Sequence, residues 1–341
     1  MEPNKMIVNN SAIFEVIQNA IQDQAVYGAS YSLQSNSLSE QHYIGYQGIG
    51  LDHIALTSGL EYDLASLTKV IGTTTRILQL LSQKKLALKD EIGRFIPNLS
   101  YPELTVEQLL LHDSGLPADI KSAGYSKVEL IDKIKQSSLI YQPGTKTVYS
   151  DLGFILLGWL IQKIDGDLAQ SLQENVFKPL KMKKTGFNLK VNNPKLFVPT
   201  ENFPARGGAL RGTVHDEKAH LLGGISGHAG LFSTLADLNN FVSMYLHQGV
   251  FAGHEVLNSN CFSLLKSYYK NGRTLGWQRW VPTGLKIWHT GFTGTSIAID
   301  MDQQTGFVCL TNRIYPTRQN RDWLKWRRLA IGLFFAEPEV I

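Results

Sequence analysis

The spacing of apolar and polar positions changes character several times along the 341-residue chain. Residues 12–24 read as a surface helix, followed by two strand-like runs, VYGASYSL (26–33) and HYIGYQGIG (42–50), either side of a polar SNSLSEQ turn region. From Leu67 the apolar residues Leu67, Val70, Ile71, Ile77, Leu78 and Leu81 fall at helical spacing. Helical character then persists for about two hundred residues, broken by loops such as HDSGLPAD and YQPGTKT. Strand character returns in LGWQRWV, LKIWHT, TSIAIDMD and GFVCLTN, with PTG, GFTG and QQTG as turns suited to antiparallel neighbours. A closing helix is expected over about 319–335.

Strands at both ends with helices between them predict an α+β fold. One antiparallel sheet is built from both chain ends and flanked by the terminal helices, with a mostly helical lobe inserted. The expected boundaries are 1–60 and 270–341 for the sheet domain and 61–269 for the helical domain, with the active site in the cleft between them. No internal period of roughly 20 to 50 residues recurs, which excludes solenoids and propellers.

Composition narrows the partners. With 43% apolar and 18% charged residues the chain is globular. Its net charge is only +4, and the basic Trp326-Arg327-Arg328 cluster reads as a solvated helix face, so no nucleic-acid partner is expected. The apolar runs are too short for a membrane span, and MEPNKMIVNNSAIFEVIQNA lacks a signal core. The expected location is therefore cytoplasmic, or extracytoplasmic if a leader has been removed. Cys261 and Cys309 form no framework, no HExxH occurs, and His215 and His220 do not share a helix face. No metal or other cofactor is expected. The Gly-rich 207–230 stretch lacks a G-K-[ST] ending, and there is no G-x-S-x-G elbow.

Candidate chemistry centres on Ser66-Leu67-Thr68-Lys69, although Ser-x-x-Lys also occurs at Ser82/Lys85, Ser263/Lys266 and Ser267/Lys270. The first copy opens an apolar helix, with Asp63 as a plausible N-cap; the other three read as surface. There the Lys69 amine can reach the Ser66 hydroxyl one helical turn away, and the helix dipole favours negative charge on that oxygen. Burial would depress the lysine pKa and make the amine a usable base.

Two later segments extend the pattern: Tyr149-Ser150-Asp151, just before an apolar helix, and His289-Thr290-Gly291, at the end of a strand. In this order the three segments resemble the signatures of the serine β-lactamase and penicillin-binding protein superfamily. The closest type is its class C-like branch, which also holds D,D-carboxypeptidases, D-aminopeptidases and esterases. LLLHDSGLP (109–117) and GGISGHAGLFSTLADLNNF (223–241) look like recurrent segments of that branch.

The resemblance implies that Ser66 forms an acyl-enzyme and that Lys69 and Tyr149 share proton transfer. It also implies that His289, Thr290 and Gly291 line the far wall and bind the substrate's carboxylate or polar end. The Ser66 and Phe292 amides would form the oxyanion hole.

Two residues depart from the family pattern. Asp151 stands where Asn is usual, and would hold Lys69 by charge, raise its pKa and favour Tyr149 as the base; alternatively Asp151 only caps the following helix. His289 stands where lysine is usual. If its imidazolium binds a carboxylate, KM for carboxylated substrates rises as pH climbs through about 6 to 7. The expected function is a serine hydrolase acting on D-amino-acyl amides or esters, on peptidoglycan fragments or on small esters. The alternatives are a class C-like β-lactamase or penicillin-sensitive D,D-carboxypeptidase, and a non-catalytic binder of cell-wall fragments. The sequence leaves the oligomeric state open.

Overall fold

The computed structural model describes residues 5–36 and 38–336, with side chains from residue 10. Helix α1 (Lys5–Gln22) leads into β1 (Gly28–Ser35) and β2 (Ser39–Gly45). The central helices that frame the site are α2 (Thr75–Ser82), α3 (Asp151–Asp165) and α4 (Leu235–Leu246). Strands β3 (Gln278–Arg279), β4 (Lys286–Thr290), β5 (Ser296–Asp300) and β6 (Thr305–Leu310) follow, and α5 (Trp323–Phe335) closes the fold.

As the pattern predicts, both chain ends build one sheet: six strands in the order β3-β4-β5-β6-β1-β2, all antiparallel. The N-terminal pair joins the C-terminal strands through β1 and β6, with Ser30 opposite Leu310.

Side chains alternate across the sheet with period two, and both faces are buried. On one face Ala29, Tyr31, Leu33, Trp288, Ala298 and Phe307 pack under the terminal helices, against Ile13, Ile17, Trp323 and Ile331. On the other face Ile287, Ile297, Ile299, Val308 and Leu310 share one core with the helical part of the chain, including Ile71, Ile77, Phe154 and Phe241. Each fully buried side chain of this kind stabilises the fold by roughly 1.5–3 kcal/mol. Two β1 positions on this second face are polar and paired: Ser30 Oγ lies 2.8 Å from Tyr62 Oη, and Ser32 Oγ donates to Asn239 Oδ1 at 2.5 Å.

Boundaries move where backbone geometry overrides the apolar pattern. The first helix starts earlier than expected and stops at Gln22, because Gln24 turns left-handed (φ 56°) and the Ala25 amide closes back on the Ala20 carbonyl. Strand β2 ends at Gly45, whose φ of 81° breaks the extended run. The middle of the chain also contains a short three-stranded sheet that the helical reading missed. In it Tyr62–Asp63 and Gly186–Phe187 flank Leu231–Ser233.

Candidate active site

That small sheet fixes the start of the segment that carries Ser66 and Lys69. Asp63 is not the expected N-cap but the anchor of a tight turn: Oδ1 accepts from the Ala65 amide (2.8 Å) and Oδ2 from the His215 amide (2.7 Å). Ala65 is held in the left-handed region (φ 46°), a conformation that costs a non-glycine residue about 1–3 kcal/mol. Ser66 follows directly. The backbone from Lys69 to Thr74 then winds as wider π turns before tightening into α2. Leu67, Val70, Ile71, Ile77 and Leu78 are fully buried, so the apolar stripe pins this segment into the core.

Lys69 is completely buried, and its ammonium is saturated. It donates to Ser66 Oγ (2.9 Å), Asp151 Oδ1 (2.8 Å) and the His228 carbonyl (3.1 Å). An ammonium has three N–H bonds, and each finds one of these acceptors. Burial alone favours the neutral amine, but Asp151 and then Tyr149 more than offset it, and the pKa is raised. Of the two expectations for Lys69, depression by burial is corrected and the rise caused by Asp151 is the one the geometry favours: the carboxylate opposite supports the protonated amine.

Helix α3 delivers that carboxylate. Ser150 is the N-cap, accepting from the Gly153 amide, so Asp151 lies just inside the helix instead of capping it. The Asp151 carboxyl would be raised by burial, but Lys69, His228 and Lys218 hold it below the ordinary value. The His228 carbonyl reaches Lys69 because α3 and the 226–228 loop touch: a Cβ on Gly227 would stand 2.1 Å from the Phe154 carbonyl oxygen.

Lys218, 5% exposed, reaches Asp119 (2.8 Å), Asp151 (3.3 Å) and Asp216 (3.6 Å). His228 Nε2 pairs with Asp216 Oδ1 at 2.9 Å. Ligand atoms of Asp151, Asp216 and His228 lie within 4.8 Å of one another, a spacing that could hold a metal, but the Lys218 ammonium already serves the two carboxylates.

Tyr149 stands between cations and histidines. Its ring centroid is 4.9 Å from Lys69 Nζ, 5.4 Å from Arg273 Cζ, 4.6 Å from the His112 ring and 6.0 Å from the His289 ring. His112 Nδ1 accepts from the Ser150 amide at 3.0 Å, which assigns its proton to Nε2.

His289 is 1% exposed, with Nδ1 3.0 Å from the Thr290 carbonyl. A carbonyl only accepts, so the proton is assigned to Nδ1, and Nε2 is a buried acceptor without a partner. Burial, then Lys69 and Arg273, hold its pKa well below the ordinary value. The expected imidazolium is thus corrected to a neutral ring at neutral pH.

Beyond His289, Gly291 lets the strand end lie against the nucleophile turn, since a Cβ there would sit 2.5 Å from the Leu64 carbonyl oxygen. Ser66 and Phe292 line the same cleft, and no acceptor is recorded for either backbone amide among the described residues.

Ser66, Tyr149, Asp151, His289, Thr290 and Phe292 line one cleft of about 1070 Å³, with Lys69 beneath Ser66. The other Ser-x-x-Lys copies lie elsewhere. Ser82, Ser263 and Ser267 are exposed. Lys270 is at the surface as expected, with its side chain 39% exposed, and is bound there to Asp113 (2.6 Å) and the Gly144 carbonyl (2.8 Å). Sequence reasoning missed Lys218, Arg273, His112 and His228 as cleft or supporting residues.

The fold and the cleft together define a serine hydrolase. The chain belongs to the β-lactamase family, whose profile it matches over residues 17–331. It is 31% identical over 341 aligned positions to the "Putative D-alanyl-D-alanine carboxypeptidase" of Escherichia coli (strain K12), covering 86% of this chain and 76% of that protein. It is 32% identical over 298 positions to the N-acetylmuramyl-L-alanine amidase of Bacillus subtilis (strain 168), covering 74% and 68%. The fold also resembles the crystal structure of a β-lactamase/D-alanine carboxypeptidase from Pseudomonas syringae: TM-score 0.76 at 19% identity, over 97% of this chain and all of that one. No helix among the described residues is long and apolar enough to cross a membrane.

Proposed function

We propose that Ser66 is acylated by D-amino-acyl amides or esters of the cell-wall peptide type and that water then releases the acyl group. The observation that carries this reading is the Lys69 ammonium, bonded at once to Ser66 Oγ, Asp151 and the His228 carbonyl. With three donors engaged it orients the serine but cannot take its proton, which leaves Tyr149 as the base. In the acylation step Ser66 Oγ bonds to the carbonyl carbon as the bond to the leaving nitrogen or oxygen breaks, and Tyr149 Oη relays the proton, accepting it from Ser66 Oγ while its own hydroxyl proton goes to the departing amine or alcohol. The oxyanion faces the Ser66 and Phe292 amides.

Arg273 supplies the permanent charge that His289 lacks. It lines the cleft beside Tyr149 and has a buried Nη1 without a partner, so it suits a substrate carboxylate. The substrate would lie between a sheet domain (1–60 and 270–341), which carries Arg273 and His289, and a helical domain (61–269), which carries Ser66, Tyr149 and Asp151. The carboxypeptidase and amidase names of the relatives support wall-derived peptides as the substrate class.

Intact-protein mass spectrometry after incubation with β-lactams, p-nitrophenyl esters and D-alanyl peptides tests the reading. The expected result is an acyl adduct that maps to Ser66. An absence of both adduct and turnover across the panel overturns it.

A further inference from the structure

The cleft has a second cationic wall that the proposed chemistry leaves unused. Arg313, from the loop after β6, and Arg327, from α5, line it, with Arg321 exposed at its rim. Arg313 is 5% exposed, and its Cζ lies 4.7 Å from the Phe292 ring centroid. Its Nη1 donates to the Asn320 carbonyl (2.7 Å), but its buried Nε has no partner. Arg327 Nη1 donates to the Gly291 carbonyl at 3.0 Å.

Among the described residues no carboxylate lies within ion-pair distance of Arg313, Arg321 or Arg327. Glu201, the acid whose field reaches Arg313, is already bound by Arg318 (2.6 Å) and His215 (2.9 Å). Burial and the neighbouring Arg313 lower the Arg327 pKa to about 10. Buried charge without a counter-charge is unfavourable, and a planar guanidinium pairs best with a carboxylate. The carbonyl contacts use part of each guanidinium and leave its charge unbalanced at the cleft surface.

We propose that this wall is a subsite for a second carboxylate of the substrate, remote from the scissile bond and distinct from the group facing Arg273. The inference rests on the serine-hydrolase reading and adds that preferred substrates carry an extra negative charge.

Two pairs of esters test it. Within each pair the scissile ester is the same, and a distal acetyl is replaced by a succinyl group, on the acyl side in one pair and on the leaving group in the other. In at least one pair kcat/KM should favour the succinyl member. Arg313→Gln should cut that preference about tenfold or more, and Arg321→Gln should cut it a few-fold, the scale of a lost close charge pair. Equal rates within both pairs in the wild type, or a preference that neither variant changes, overturns the subsite.

Arg321 is exposed, so its variant carries the test if Arg313→Gln does not fold. If no ester acylates the protein, the hydrolase reading fails separately. Calorimetric binding of succinate to the wild type, weakened in Arg321→Gln, then still supports the anion site, and no binding overturns it.

Discussion

Asp151 joins two buried lysines: Lys69 Nζ lies 2.8 Å from its Oδ1, and Lys218 Nζ lies 3.3 Å from its Oδ2. A neutral amide at this position could accept from one lysine but could not balance the charge of either. The carboxylate thus explains why an amine with no solvent exposure has its pKa raised rather than lowered, and under the proposed mechanism it leaves Tyr149 to move the serine proton.

Asp151→Asn should destabilise the fold by about 3–5 kcal/mol, the scale of breaking a buried ion pair. The Asp151 carboxyl lies below its ordinary 3.8 in the folded state, so its contribution is present above that value and lost as pH falls through the folded pKa. The Lys69 pKa is raised, so its contribution is full below 10.5 and is lost only as pH rises through the folded pKa. Urea unfolding of both proteins should therefore show a stability gap that is flat around neutrality and shrinks below about pH 4. A gap that survives acidification unchanged would place its origin outside the ion pair.

Tyr149→Phe removes the proton acceptor while leaving the three Lys69 hydrogen bonds in place. Steady-state kinetics on a p-nitrophenyl ester should show kcat reduced by roughly 10² to 10⁴. Full activity would mean that Lys69 does lose a proton at some stage.

Ser66→Ala should abolish turnover and covalent labelling. Ser82→Ala and Ser263→Ala should change neither, since both residues are exposed and neither lines the cleft that holds Ser66, Tyr149 and His289. Active-site titration with a chromogenic ester distinguishes the three variants; a large loss from either control variant would reassign the nucleophile.

The residues that carry local patterns were the legible ones. Strand-like apolar runs between turns marked the sheet, the helical stripe marked the segment after Ser66, and the resemblance to the family's three signatures pointed to Lys69, Tyr149, Asp151 and His289. Lys218 was not legible, because an exposed-looking lysine in VHDEKAH becomes buried only when Asp119 and Asp151 converge on it from two distant segments, beside its neighbour Asp216. Arg273 lies in a polar turn, and its place over Tyr149 depends on how β3 docks on β4. The π winding from Lys69 to Thr74 also has no local signature, since its residues would suit an α-helix equally well. The charge of His289 was misread for the same reason, since its pKa depends on partners that only the fold brings together, whereas the raised pKa of Lys69 followed from Asp151 in the middle motif.

His289 and Arg273 supply the last test. Read from sequence, His289 binds carboxylates as an imidazolium, and KM rises through about pH 6 to 7. The buried ring beside Lys69 and Arg273 has its pKa held well below 6.5, so it is neutral across that interval and cannot produce the rise. A depressed folded pKa stabilises the protein above the unfolded value and is lost as pH falls through the folded one. His289 should therefore weaken the fold in acid and leave substrate affinity unaltered near neutrality. The ratio of kcat/KM for a carboxylated and a neutral ester should stay flat between about pH 6 and 8, because Arg273 stays charged throughout. Arg273→Gln should lower that ratio at every pH by about tenfold or more. His289→Lys should not raise it, since a second buried cation between Lys69 and Arg273 is repelled by both and lowers stability instead. A ratio that falls with rising pH in the wild type, and is made flat by His289→Lys, would return the carboxylate site to His289.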